Sequence, residues 1–150
     1  MRALIGFDCS LKEKGKSVTI VNLGGVVISG SARGIGLAIA RNLADAGFGV
    51  VLADLDEAAG NEAAKSIRTS GGNAVFERVD VTDRASVAAA IKACEGAFGH
   101  LHGIVNNAGF NRPQHFLETT EDNWTQIMTV NGLGVLIGMQ EAAKAMIAAG

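Results

Sequence analysis

The stretch that most constrains the fold is SGSARGIG, from Ser29 to Gly36, which follows the apolar residues Val-Val-Ile. Its glycines have the spacing G-x-x-x-G-x-G and lie between an apparent strand and an apparent helix. Such a turn directs backbone N–H groups and the positive end of the helix dipole at one point. The stretch therefore predicts a site for an anion, and we expect a dinucleotide pyrophosphate there. A tight strand-to-helix turn that binds nothing is the alternative.

Each glycine of this turn has its own predicted role. Gly30 would permit the tight turn, and Gly34 would let a phosphate approach the backbone closely. Gly36 would allow the helix to pack closely on the strand, because a Cβ atom there would intrude. Together, the three glycines predict a turn whose backbone a ligand can approach without meeting side chains.

Apolar runs and helical segments alternate along the chain from residue 26 onward. The runs at 26–29, 50–53, 74–79 and 101–105 are nearly continuous in apolar residues, as expected of parallel strands covered on both faces. Segments with helical periodicity lie between them, at 35–47, 57–70 and 83–98. The resulting βαβαβαβ order predicts an α/β fold, an open parallel sheet with right-handed crossovers.

Two parts of the chain lie outside this alternation. After the fourth strand, a polar segment with the only proline leads to a helix near Thr119 or Thr120, and a second helical run follows at 131–149. Residues 1–25 are expected to be an N-terminal extension, although a strand at 18–23 could form a hairpin with 26–29. We expect residues 26–150 to form one dinucleotide-binding domain.

The composition argues against several other classes of protein. The net charge of −2 is made of 13 basic and 15 acidic side chains, which gives no electrostatic footprint for nucleic acid or an anionic membrane. Cys9 and Cys94 have no CxxC spacing, and the three histidines have no ligand spacing, so we predict no metal site. Cys94 is expected to be a core residue, and Trp124 is expected to pack with Ile127 and Met128. Without a signal-peptide core, a cytoplasmic protein is expected.

An acidic residue indicates which cofactor the site would take. Asp54 ends the second strand, 18 residues after Gly36, where an acid would accept hydrogen bonds from the adenosine ribose hydroxyls. Its charge would repel a 2′-phosphate, which favours NAD over NADP. A helix N-cap or a solvated acid remains an alternative, because Asp56 and Glu57 follow. Arg33 in the turn is also open to two interpretations, since it can pair with a 2′-phosphate or only cover the turn.

Four further motifs join the glycine turn in one order: the Asp54 strand end, DVTD at 80–83, NNAG at 106–109, and VN at 130–131. Together they resemble the N-terminal part of the short-chain dehydrogenase/reductases, over residues 26–150. The resemblance implies a partial Rossmann fold: a doubly wound, mainly parallel sheet in order 3-2-1-4 within three α/β/α layers. It also places the cofactor at the switch point between strands one and four.

The resemblance implies further contacts to the cofactor. Ile35 would offer its backbone N–H to the pyrophosphate. Asp80 would accept a hydrogen bond from the adenine amino group, with the backbone of Val81 alongside. By the residues alone, a role for Asp80 and Asp83 as caps of the third helix is a reasonable alternative.

The fourth strand and the following helix receive roles in the same way. Asn107, Ala108 and Gly109 would pass beneath the adenosine ribose and hold the fourth strand in place. Asn131 matches the family's catalytic-helix Asn, which kinks the helix and holds a water in the proton relay. A plain turn at 106–109 and an ordinary polar helix residue at 131 are the alternatives.

Members of this family transfer a hydride between the nicotinamide and a carbonyl or alcohol carbon, with a Tyr as acid and base, a nearby Lys and a Ser. In the family these residues follow the helix that here ends at Gly150, and this sequence contains no tyrosine. We therefore expect an oxidoreductase domain truncated before the Tyr-Lys segment and inactive by itself. Two alternatives are a non-catalytic NAD-binding module and an interaction fragment. A homo-oligomer, or association through an exposed sheet edge, is expected.

Overall fold

The computed structural model describes residues 23–150, which form one parallel sheet with helices on both faces. The elements in chain order are β1 (Gly25–Ser29), α1 (Gly34–Asp45), β2 (Gly49–Asp54), α2 (Glu57–Thr69), β3 (Asn73–Arg78), α3 (Arg84–Phe98), β4 (Leu101–Val105), a 3-10 turn (Phe116–Glu118), α4 (Glu121–Met128), a π-helical turn (Thr129–Leu133) and α5 (Gly134–Ala149). The predicted alternation of strands and helices is confirmed, with boundaries that differ by one to three residues in most elements.

The sheet has the predicted order β3-β2-β1-β4. All three pairings are parallel, so the carboxyl ends of the four strands lie along one edge of the sheet. β1 and β2 are almost completely buried because helices cover both of their faces. Apolar runs without alternation are the sequence form of such strands. The loops that carry the predicted motifs therefore all leave the sheet at the same edge.

Two hydrophobic clusters, one on each face of the sheet, build the three layers. One cluster joins β1 and β2 to α1 and α2, through residues such as Ile28, Leu52 and Ala40. The other joins the opposite face to α3 and α5, through residues such as Val51 and Ile137. The partial doubly wound, three-layer α/β/α fold expected from the motifs is thus confirmed.

The last two helices are joined differently from the expectation. Helical backbone continues from α4 through the π-helical turn into α5, which begins at Gly134 and not at residue 131. Glycines let α5 approach the sheet: a Cβ atom on Gly134 would lie 2.9 Å from Val81 Cγ2, and one on Gly138 would overlap the amide oxygen of Asn106. The close contact places the π-helical turn beside the loop that follows β4.

The expected packing of Trp124 with Ile127 and Met128 is wrong for two of these residues. Trp124 is 62% exposed and Met128 is 42% exposed, whereas Asn123 is the buried residue of α4. The helix therefore turns a polar residue inward, which a rule based on apolar spacing alone does not anticipate. Asn123 lies near the loop after β4, where its Nδ2 atom approaches the backbone oxygen of Arg112 at 3.4 Å.

Some expectations concern residues before 23 and lie outside the described part of the chain. They include most of the N-terminal extension and Cys9. The alternative hairpin between 18–23 and 26–29 does not form, because β1 pairs with β2 at one edge and with β4 at the other. Within residues 23–150, no helix is both long enough and apolar enough to cross a bilayer.

Candidate functional site

The backbone of the glycine turn requires glycine at two positions. Gly30 and Gly34 have φ angles of +65° and +58°, in the left-handed region that favours glycine. A Cβ atom on Gly36 would overlap the carbonyl oxygen of Gly30 and lie 2.7 Å from Nδ2 of Asn107. A Cβ atom on Gly34, by contrast, would meet no atom of the described chain within 4 Å. The turn is therefore closely packed at Gly36 and open at Gly34.

Two serine hydroxyls fix the turn between its neighbouring strands. Ser31 is fully buried; its Oγ donates to the carbonyl of Ile28 at 2.7 Å and accepts from the N–H of Ala53 at 3.0 Å. Ser29 Oγ accepts from the N–H groups of Asn107 and Ala108, both at 3.0 Å. These bonds join the end of β1 to β2 on one side and to the segment after β4 on the other.

Asn107 adds a second connection between the turn and β4. Its Nδ2 donates to the carbonyl oxygens of Ser29 and Gly30, at 3.0 Å in both cases. A Cβ atom on Gly30 would approach Cα of Ala108 to 2.8 Å, so the two segments cross closely. The predicted task of Asn107 in holding the fourth strand is consistent with this geometry. The passage of residues 107–109 beneath a ribose stays a prediction.

Asp54 faces the glycine turn. Its Oδ2 accepts from the N–H of Ala32 at 2.9 Å, and its Oδ1 accepts from the N–H of Asp56 at 3.1 Å. The N-cap of α2 is Asp56, whose side chain accepts from the N–H of Ala59. Asp54 is thus a partly exposed carboxylate fixed beside the turn, and the N-cap alternative belongs to Asp56.

The start of α1 has no side-chain cap. Its N-cap residue is Arg33, which makes no capping hydrogen bond, and no acidic side chain lies in the first turn. The first N–H groups of a helix have no partner within the helix, and the N-terminus carries partial positive charge. Ile35, the predicted donor, is in this first turn with its side chain 75% exposed. Together with the open space at Gly34, this geometry fits an anionic pyrophosphate.

Arg33 itself pairs with an acid. Its guanidinium NH2 forms a short ion pair with Oδ2 of Asp56, between side chains that are 70% and 41% exposed. Arg33 therefore lies across the gap between the glycine turn and the start of α2. Pairing with a neighbouring acid is neither of the two interpretations that the sequence leaves open for Arg33.

Asp80 and Val81 lie in the turn between β3 and α3. Oδ1 of Asp80 accepts from the hydroxyl of Thr82 at 2.7 Å and from its N–H at 2.9 Å. These hydrogen bonds, with a smaller contribution from Arg78, hold the pKa of Asp80 below its usual value. The cap of α3 is Asp83, which accepts from the N–H of Ala85. Val81 packs its side chain toward the core cluster under α5.

Asn131 lies in the π-helical turn and binds the loop after β4. Its Oδ1 accepts from the N–H of Phe110 at 3.0 Å, and its Nδ2 donates to the Phe110 carbonyl at 2.9 Å. A Cβ atom on Gly109 would lie 3.1 Å from that Oδ1 atom. Single π-helical turns occur frequently at functional sites. The structure thus shows Asn131 fixing the loop, and its predicted part in a proton relay stays a prediction.

Cys94 is a core residue, as expected. It is fully buried in the cluster between the sheet and α3. Burial raises the pKa of its thiol to about 11, so the thiol stays protonated at neutral pH. Cys94 therefore contributes packing and no nucleophile.

Sequence reasoning missed two contributors to this site. Ser31 occupies a variable position of the glycine motif, although a hydroxyl directly after a strand is a known signal for a local bond to the backbone. The sequence identifies Asp56 only as an acid that follows Asp54 and gives it no role of its own. Its bond to Arg33 spans 23 positions in sequence and has no local signal.

Comparison with known proteins gives one consistent result. The sequence model of a family described as short chain dehydrogenase matches residues 25–150. The chain is 37% identical over 124 residues to 2,5-dichloro-2,5-cyclohexadiene-1,4-diol dehydrogenase LinX of Sphingobium indicum, covering 83% of this chain and 50% of that protein. It is 38% identical over 120 residues to L-2,3-butanediol dehydrogenase of Corynebacterium glutamicum, covering 79% and 46%. The chain thus spans about half the length of the curated relatives it matches.

Solved structures agree with the sequence comparisons. A short chain dehydrogenase/reductase from Burkholderia phymatum, in complex with NAD, has a TM-score of 0.77 at 34% identity, covering 81% of this chain and 43% of that one. A short-chain type dehydrogenase/reductase from Mycobacterium marinum has a TM-score of 0.79 at 31% identity, covering 83% and 51%.

Proposed function

The chain belongs to the short-chain dehydrogenase family, and on that premise we propose that it is the cofactor-binding part of an oxidoreductase. The reaction is transfer of a hydride between a nicotinamide dinucleotide and a carbonyl or alcohol substrate. In this proposal residues 26–150 are one dinucleotide-binding domain, and the protein works in the cytoplasm. The relatives named above are dehydrogenases, which supports the reaction class.

The observation that carries the proposal is the open start of α1. The turn is rigid, because Ser31 and Asn107 tie it to both neighbouring strands. Its free edge consists of backbone N–H groups and the open space at Gly34. Preorganised N–H donors at a helix start bind a pyrophosphate without further rearrangement.

Asp54 would supply the preference for NAD. A carboxylate beside the turn can accept hydrogen bonds from the two adenosine ribose hydroxyls, since each of its oxygens has one protein partner and retains a further acceptor site. The same charge would repel a 2′-phosphate. The other residues proposed to contact the cofactor are Gly30, Arg33, Gly34, Ile35, Gly36, Asp80, Val81, Asn107, Ala108 and Gly109.

The chemistry of the proposal divides between the cofactor and the protein. When bound, the nicotinamide would supply or accept the hydride. Asn131 would hold a water of the proton relay. It lies in the π-helical turn, where it fixes the loop after β4 through Phe110. These 150 residues contain no tyrosine, and the family uses a tyrosine as its acid and base. The 150-residue chain alone is therefore expected to bind the cofactor and not to turn over substrate.

Association with a second chain is a further candidate property. On α5, Leu136, Met139 and Ile147 are 48%, 57% and 81% exposed. Among the described strands, β4 pairs only with β1, so its other edge has backbone groups available for pairing. Exposed apolar side chains and an available edge favour a homo-oligomer or pairing with a relative. Sedimentation of the purified chain as a monomer at all concentrations would argue against it.

Calorimetric titration with NAD, NADH and NADP tests the cofactor proposal directly. We expect binding of NAD and NADH, with weaker binding of NADP. Absence of heat and of any thermal stabilisation at millimolar ligand would contradict the proposal. In a separate assay, oxidation of NADH by the 150-residue chain with a ketone would contradict its expected inactivity.

A further inference from the structure

A site distinguishes NAD from NADP by the charge of the side chains that lie beside the adenosine ribose. A 2′-phosphate carries about two negative charges and is bound best by a guanidinium that is free to form a bidentate pair. A ribose with free hydroxyls needs an acceptor and no cation. Asp54 provides the acceptor beside the turn, but Arg33 lies in the same turn and provides the cation.

The guanidinium of Arg33 is already engaged. It pairs with Oδ2 of Asp56, which belongs to the next crossover of the fold. Neutralised in this way, Arg33 offers much less net attraction to a second anion. With Arg33 and Asp56 paired, the charge that remains unpaired beside the turn is the negative charge of Asp54.

Asp56 is held in the position that this pairing needs. Its N–H donates to Oδ1 of Asp54 at 3.1 Å, and its own Oδ1 accepts from the N–H of Ala59 at 3.0 Å. The two carboxylates therefore form one unit at the end of β2. One oxygen of Asp56 caps α2, and the other holds Arg33.

We infer that Asp56 is a specificity-determining residue of the site, because it withholds Arg33 from the 2′-phosphate of NADP. The inference rests on the proposed binding of a dinucleotide and deepens it. Asp54 favours the ribose hydroxyls, and Asp56 removes the cation that would otherwise serve the phosphate. Without the charge of Asp56, Arg33 would be free to attract the 2′-phosphate of NADP, and this attraction would offset part of the repulsion from Asp54.

The test uses the 150-residue chain and the variant Asp56→Asn. Asparagine caps a helix about as well as aspartate, so α2 keeps its start while the charge is lost. Asp83→Asn is the matched control, because Asp83 is the N-cap of α3 and makes no ion pair with Arg33. The measurements are Kd values by calorimetry for NAD, NADP, and the smaller pair 5′-AMP and adenosine 2′,5′-bisphosphate.

We expect Asp56→Asn to raise the affinity for the 2′-phosphorylated ligands roughly tenfold relative to their unphosphorylated counterparts. Asp83→Asn should leave the ratio unchanged, and added salt should reduce the gain. The double variant Arg33→Ala with Asp56→Asn should lose the gain, because the cation is gone.

The possible outcomes distinguish failure of this inference from failure of the proposed dinucleotide binding. If the unaltered chain binds NAD but Asp56→Asn leaves the ratio as it was, the inference is wrong and the proposed function stands. The inference is also wrong if the gain in affinity persists in the double variant. If the unaltered chain binds no dinucleotide, the proposed function fails and the inference falls with it.

Discussion

The start of α1 and the starts of α2 and α3 solve the same problem in opposite ways. Each helix begins after a loop at the same edge of the sheet, with backbone N–H groups that lack partners inside the helix. In α2 and α3, Asp56 and Asp83 accept from those groups. In α1, the cap position holds Arg33, whose side chain accepts no hydrogen bond from these groups, and glycines replace side chains around it.

The difference teaches where the chain keeps an anion site. A capped start is complete without a ligand and contributes about 1 kcal/mol to stability. An uncapped start forgoes that contribution and retains its donors and positive dipole for an external partner. The lack of a cap is meaningful here because side chains bond the neighbouring parts of the turn, through Ser29, Ser31 and Asn107.

The largest expected loss of stability comes from adding a side chain at Gly36, the closely packed glycine at the start of α1. Gly36→Ala would press a methyl group against the Gly30 carbonyl and the Asn107 amide, lowering the free energy of unfolding by about 3 kcal/mol. Gly96→Ala in α3 is the matched control, because its Cβ atom would meet no atom of residues 23–150 within 4 Å, and it should stabilise by roughly 0.5–1 kcal/mol. Urea denaturation measures both. Equal stability of the two variants would contradict the close packing.

A second pair of variants tests the open part of the turn. Gly34→Ala and Gly71→Ala both place a Cβ atom at a positive φ in open space, so each should cost about 1 kcal/mol of stability. Only Gly34→Ala would obstruct an anion, with NAD affinity falling roughly 30-fold as charge-assisted hydrogen bonds are lost. Calorimetry on both variants separates strain from obstruction. Equal NAD affinities would place the ligand elsewhere.

A side-chain N-cap introduced at the start of α1 should make this helix resemble α2 and α3. Arg33→Ser would let a hydroxyl accept from the first-turn N–H groups, making the chain about 1 kcal/mol more stable than Arg33→Ala. Since that hydroxyl competes with the pyrophosphate, NAD should bind about threefold more weakly to the serine variant. The alanine variant is the reference, because both substitutions lose the pair with Asp56. Tighter binding of NAD to Arg33→Ser than to Arg33→Ala would contradict competition between the hydroxyl and the pyrophosphate for the first N–H groups of α1.

The smallest effect concerns the closed turn before α3. Thr82→Val removes a hydroxyl that donates to Asp80, so the pKa of Asp80 should rise toward its usual value. A lowered pKa stabilises the fold above the unfolded-state pKa, and this contribution disappears as the pH falls through the lowered value. The variant should therefore lose less than about 0.5 kcal/mol at neutral pH, since the group is largely solvated, and nothing in strong acid.

Carboxyl titration by NMR and denaturation at neutral and acid pH measure this effect. Thr129→Val, in the π-helical turn, is a control in which the lost hydroxyl bonds to a backbone carbonyl and not to a carboxylate. A stability loss in Thr82→Val that is the same at both pH values would show that Asp80 is not its cause.

Features that depend on neighbouring residues could be predicted from the sequence. The strand at 101–105, the positive φ of Gly30 and Gly34, and a capping Thr120 all follow from local sterics and local hydrogen bonds. The order of the sheet followed from the motif set. The exposure of Trp124 could not be predicted, because the spacing of apolar residues on α4 does not show which face of the helix packs against the rest of the fold.

The sequence by itself determined the alternation of strands and helices and the bare turn at α1, since each rests on contacts within a few residues. The tertiary structure alone decided which groups meet at the carboxyl edge of the sheet. Asp54 reaches Ala32 across 22 positions, and Asn107 reaches Ser29 across 78. Parallel strands bring such distant loops together at one edge. Sheet order and register, and no local pattern, therefore fixed the contact of Arg33 with Asp56 and that of Asp54 with Ala32.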